Sequence, residues 1–169
     1  SCATKPLMFL ENTPHALLSP EFLYDIAPGC HLLHVMRDPR SIAFSLRSMT
    51  WGPETLDACC TWVANYCTAW LQSQSVIADM GGNAICTQIE KIAAFPGSES
   101  EDACAALDVQ TIGTLFHGAD MSILNGWTKQ CSVDDLRLIN ERLSGWASHF
   151  GYSQAEIGHI ISREDSHAA

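Results

Sequence analysis

The run His31-Leu-Leu-His-Val-Met36 restricts the fold more than any other feature, because it is short, apolar and closed at once by Arg37-Asp38-Pro39. Such a run is too brief for a buried helix and suits a strand covered on both faces. Asp38 offers a helix cap and Pro39 a first-turn proline, so a helix must begin where the strand stops; it is expected to run to about Thr50. A strand passing straight into a helix is the first half of a βα unit, and such units build parallel sheets.

The rest of the chain continues this alternation. Ser19-Pro20-Glu21 opens a short helix, expected to bury Phe22, Leu23 and Ile26 and to stop at Pro28-Gly29. From about Pro53 to Met80, Leu56, Cys59, Cys60, Val63, Tyr66, Cys67, Trp70 and Leu71 recur at helical spacing, marking a long amphipathic helix that Gly81-Gly82 ends. Ala84 to Ile89 reads as a second strand and Glu99 to Leu107 as a short helix. Ser132 with Asp135, and Ser153 with Glu156, are capping patterns for two C-terminal helices separated at Gly151. The expected fold is one α/β domain over residues 1–169, a parallel sheet flanked by helices with a helical C-terminal half. Two strands are too few for such a sheet. Further N-terminal strands are therefore expected, in the opening residues, in a segment before Ser1, or on a partner chain that completes the fold.

Composition excludes several roles. Nine Lys and Arg against nineteen Asp and Glu give a net charge of -10, which repels a nucleic-acid backbone. No apolar stretch approaches the roughly 20 residues of a membrane span. His31 and His34 point to opposite faces of their strand and cannot share a metal, and the cysteines lack zinc-site spacing, so no metal site is expected. Eight cysteines admit either a disulfide framework or small buried side chains. The helical placement of Cys59, Cys60 and Cys67 favours burial. Trp62, Tyr66 and Trp70 share a helical stripe that suits a core or the wall of an acceptor pocket, and Trp127 and Trp146 read as packing residues.

The chemistry concentrates after the first strand. Ligands of open α/β sheets bind at the carboxyl edge of the strands, where helix N-termini offer free N–H groups to anions. Arg37 and Arg40 present planar forks suited to phosphate, and Ser41 and Ser45, four apart, add neutral donors on one helix face. The same residues also read as a capping aspartate, two surface ion pairs and incidental serines.

A strand followed by Arg37-Asp38-Pro39-Arg40, with Ser45 eight positions after Arg37, resembles the 3'-phosphate motif of the sulfotransferase superfamily. Leu10-Glu11-Asn12-Thr13-Pro14 resembles that superfamily's Glu-Lys-Thr-Pro segment in carbohydrate and bacterial members, and the Lys-Asp-Pro of tyrosylprotein sulfotransferases. Ile89-Glu90-Lys91-Ile92 with Pro96 resembles its Tyr-Glu-Asp-Leu segment, and Leu124-Asn-Gly-Trp127 and Phe150-Gly-Tyr152 resemble its closing elements. The resemblance implies a P-loop NTPase-like fold. It also implies that Arg37 and Ser45 bind the 3'-phosphate of 3'-phosphoadenosine 5'-phosphosulfate (PAPS) or of its product 3',5'-adenosine bisphosphate (PAP). The implied reaction carries a sulfonate to a hydroxyl or amine acceptor.

Three departures accompany these matches. Asn12 stands where the family has lysine, Ile89 where some members have tyrosine, and the glycine-rich 5'-phosphosulfate loop does not occur in residues 1–169. Sulfonate transfer needs a general base to take the acceptor's proton. Glu11 and His15 are the candidates, each with an ordinary surface reading beside it. The alternatives to an enzyme of this class are a non-catalytic relative acting in assembly and a nucleotide kinase of similar architecture. Neither the acceptor nor the compartment, cytoplasm or Golgi lumen, can be read from the residues.

Overall fold

The structure, a computed structural model, describes residues 19–26, 28, 31–89, 126–154 and 157. In chain order these give α1 (Pro20–Ile26), β1 (His31–Met36), α2 (Pro39–Leu46), α3 (Leu56–Asp79), β2 (Asn83–Gln88), a 3-10 turn (Gly126–Lys129) and α4 (Val133–His149). The protein is mixed α/β and mostly helical. β1 and β2 pair in parallel, with His31 opposite Asn83 and Met36 opposite Gln88. A parallel pair requires a long crossover, which α2 and α3 supply.

Each long helix starts and stops for a local reason. Thr55 caps α3, its Oγ1 accepting from Ala58 N at 3.2 Å, and Ser132 caps α4, its Oγ accepting from Asp135 N at 3.1 Å. Both helices end in the same glycine motif. Gly81 at φ 78° donates to Ala78 O and Gly82 to Ile77 O; Gly151 at φ 79° donates to Ser148 O and Tyr152 to Ala147 O. Only a residue at ease with positive φ closes a helix in this way, which is why glycine stands at both places.

The apolar stripes then meet. α3 contributes Leu56, Cys59, Cys60, Val63 and Cys67, and α4 contributes Leu136, Ile139 and Leu143, to one core with Met36 of β1 and Ala43 and Leu46 of α2. α2, α3 and α4 pack pairwise, and α3 also lies against β2. Tyr66 and Leu71, at the margins of the α3 stripe, are half-buried. Cys59, Cys60, Cys67, Cys86 and Cys131 are free thiols, and the first three are fully buried as small apolar side chains. Arg142 of α4 pairs with Asp57 of α3 at 2.7 Å, and Asp135 of α4 with Arg47 beyond α2 at 3.0 Å, on the rim of this core.

Two expectations change. Helix α2 stops at Leu46 rather than near Thr50, because Ser48 N and Ser48 Oγ both turn onto Ser45 O, at 3.1 and 2.7 Å, and Met49 N onto Leu46 O. A serine hydroxyl offering this local bond competes with helix continuation. Helix α1 does not bury Phe22 and Ile26, which are 63% and 58% exposed, and Leu23 is only half-buried; Pro20 and Tyr24 are buried instead. The Tyr24 ring occupies the space left by Gly82, where an added Cβ would lie 1.5 Å from Tyr24 Oη. A two-turn helix presents one narrow face, and this single ring decides which one. The expected helix over Glu99–Leu107 lies outside the described residues, as does Glu156 of the second capping pattern. Among the described residues, no helix is long and apolar enough to cross a membrane.

Gly82→Ala is expected to displace Tyr24 and cost about 1–3 kcal/mol. Gly145→Ala, on the exposed side of α4 with open space around it, is expected to gain about 0.5–1 kcal/mol. Urea-denaturation midpoints of the two variants check both signs.

Candidate functional site

Strands β1 and β2 end side by side at Met36 and Gln88, and the chemistry-bearing loop leaves from this edge. Arg37 is half-buried directly beyond Met36. Asp38 follows and caps α2, its Oδ1 accepting from Arg40 N at 2.9 Å. Ser45 sits half-buried in the last turn of α2. Arg37 and Ser45 therefore belong to one βα unit, Arg37 in the loop at the strand edge and Ser45 in the last turn of the helix that leaves it.

Arg40 and Ser41 are placed differently from a ligand surface. Arg40 is 3% exposed, and its guanidinium grips Asp38, with Nε at 3.0 and 3.2 Å from the two carboxylate oxygens and Nη2 at 2.8 Å from Oδ2. Two further donors reach the turn after α4, Nη2 to Ser153 O at 2.8 Å and Nη1 to Gln154 Oε1 at 3.0 Å. The expected surface ion pair is an interior one, with the guanidinium engaged by partners within the protein. Ser41 is fully buried, and its Oγ has no hydrogen-bond partner among the described residues. Its place on the inner face of α2 follows from the helix packing on α3 and α4. Glu11 and His15, and Asn12 between them, lie outside the described residues.

The segment Phe150–Gln154 closes the strand edge from the other side. Tyr152 Oη donates to Met36 O at 3.1 Å, Gln88 Nε2 donates to Phe150 O, and Gln154 Nε2 donates to Ser144 O at 2.8 Å and lies 3.0 Å from Ser148 Oγ. Both strand ends and the cap of α2 are thus tied to the glycine turn that ends α4. Trp127 is buried beside Phe44 of α2, with ring centroids 6.2 Å apart. Trp146 stacks with Phe150 at 6.3 Å.

A second polar group lies beneath the sheet. His34, 7% exposed, has its ring 4.2 Å from that of Trp70, with Nε2 3.3 Å from Tyr66 Oη and Nδ1 3.7 Å from Cys86 Sγ. Register explains the last contact, since His34 and Cys86 are partners across the pair. Burial lowers the His34 pKa to about 4 and raises the Cys86 and Tyr66 pKa values to about 11 and 12, so all three stay neutral near pH 7. Burial likewise pushes Cys60 up to about 11 and Cys67 and Cys131 to about 12. These thiols lack the thiolate character a nucleophile needs. Trp62 stacks on Tyr66 at 5.7 Å, both half-buried, while Trp70 is core. Among the described residues, no group of three His, Cys, Asp or Glu could hold a metal ion.

No local signal marks Gln88 and Gln154 at the strand edge, which act across more than sixty and a hundred positions respectively. Tyr152 had a signal only in its resemblance to a closing motif. No family model, curated protein or solved structure matches the chain.

The His34 environment carries a pH dependence. Below about pH 6.5 the unfolded chain takes up a proton that the folded protein refuses until about pH 4. Stability present above that upper value is therefore lost as pH falls across this window, by on the order of 3 kcal/mol. His34→Gln should show a flatter profile between pH 7 and pH 4 in urea denaturation. Identical profiles for the two proteins would refute the assignment.

Proposed function

We propose that this chain is the C-terminal part of a PAPS-dependent sulfotransferase with a P-loop NTPase-like fold, in which Arg37 and Ser45 hold the 3'-phosphate of the donor. The observation that carries this reading is the βα unit itself, a parallel strand ending on Arg37-Asp38-Pro39-Arg40 with Ser45 on the helix that follows. Pro39 and Ser45 are separated by about 9 Å of helix rise. A long arginine side chain from the loop can span much of that rise, so that one phosphate meets its fork and the Ser45 hydroxyl together. Phosphate oxygens favour such a mixture of a charged bidentate donor and a neutral one.

In the reaction the acceptor's oxygen or nitrogen attacks sulfur and loses a proton to a base, while the bond from sulfur to the phosphate oxygen of PAPS breaks and PAP departs. Glu11 and His15 are the candidates for that base. A preceding segment or partner chain supplies the 5'-phosphosulfate loop. Asn12, standing where the superfamily has lysine, supports a second reading in which the chain keeps the 3'-phosphate site but acts as a non-catalytic assembly subunit.

Calorimetry with PAP, using 5'-AMP and ATP as competitors, separates these outcomes. PAP is expected to bind, and AMP to compete poorly for want of a 3'-phosphate. Arg37→Ala should weaken binding on the order of tenfold to a hundredfold and Ser45→Ala about fivefold, the spans expected for a charged and a neutral hydrogen bond. With the segment or partner that carries the 5'-phosphosulfate loop present, sulfonate transfer to hydroxyl acceptors supports the enzyme, and PAP binding without transfer supports the assembly subunit. Indifference of binding to the 3'-phosphate or to Arg37 would exclude both.

A further inference from the structure

We infer that Arg40 is a positioning residue, and that with Asp38 and the turn Phe150–Gln154 it forms a latch whose closure and anion binding at Arg37 favour each other. The inference rests on the reading of Arg37 as the phosphate-binding residue. It begins with a charge problem. Asp38 is one position from Arg37 and only 9% exposed, so its carboxylate would repel a phosphate held there. Arg40 cancels that charge by gripping both carboxylate oxygens.

The same guanidinium reaches across the strand edge to Ser153 O and Gln154 Oε1. Gln154 is in turn fixed to α4 through Ser144 O, and Tyr152 holds Met36 O, the carbonyl directly before Arg37. The backbone that aims Arg37 is therefore clamped from both sides. Tyr152 fixes the residue before it, and the pair of Asp38 and Arg40 fixes the residue after it. A ligand that binds only the clamped arrangement must stabilise the clamp by the same factor that the clamp strengthens binding. Arg40 touches no ligand in this scheme.

Three variants and one exchange measurement test the latch. Arg40→Gln leaves Asp38 buried and uncompensated, and should weaken PAP binding about tenfold or more. Asp38→Asn/Arg40→Gln removes the uncancelled charge while keeping a capping side chain, and should recover most of that loss. This recovery tests the cancellation of charge, and relief of a buried unpaired charge would also restore stability. The exchange of residues 150–154 on ligand binding tests the clamp. In hydrogen exchange, PAP should slow the amides of residues 150–154 about tenfold in the wild-type protein. Wild-type affinity in Arg40→Gln, or a double variant no better than the single one, would overturn the inference while leaving the phosphate site intact. If the wild-type protein does not bind PAP, the donor reading fails, and ligand-free exchange judges the clamp alone. Faster exchange at residues 40–42 in Gln154→Ala supports it, and unchanged exchange rejects it.

Discussion

The buried pair of Asp38 and Arg40 is the constraint on which the strand edge depends. One carboxylate caps α2 and grips the guanidinium, and that guanidinium anchors the turn after α4. Removing one member of a buried ion pair leaves a charge without water or partner, at a cost of about 3–5 kcal/mol. The arrangement therefore tolerates loss of both charges better than loss of either. It also explains why a motif with two arginines uses them so differently: Arg37 borders solvent, and Arg40 is sealed in the protein.

The helical layer makes this pairing possible. α3 and α4 each end on a glycine at positive φ, and in α4 that turn sends Tyr152 back toward the end of β1. The core beneath combines large side chains such as Met36, Trp127, Leu136 and Leu143 with the small Ala43, Cys59, Cys60 and Cys67. Burial keeps these thiols protonated, and it keeps His34 neutral between Trp70, Tyr66 and Cys86. His34 thus meets its polar neighbours Tyr66 and Cys86 inside the protein.

The site and the latch share one edge of the sheet for a topological reason. Parallel strands deliver all their carboxyl ends to the same side, so the βα loop after β1 and the end of β2 are neighbours. A segment docked on that edge touches both at once. Phe150–Gln154 does so through Gln88 and Met36, which couples the turn after α4 to the loop that carries Arg37.

Local signals were enough for most of the elements. The strand, the caps at Asp38 and Ser132 and the glycine stops depend on bonds within a few residues, so they can be read from spacing. The buried stripe of α3 follows from helical periodicity alone. The face of α1, the stop at Leu46, the burial of Arg40 and Ser41 and the grip on Gln154 were decided elsewhere. Tyr24 finds Gly82 across fifty-eight positions, and Arg40 finds Gln154 across more than a hundred. Charge and helical position cannot tell a surface arginine from an interior one; its partners can, and only the folded chain brings them together.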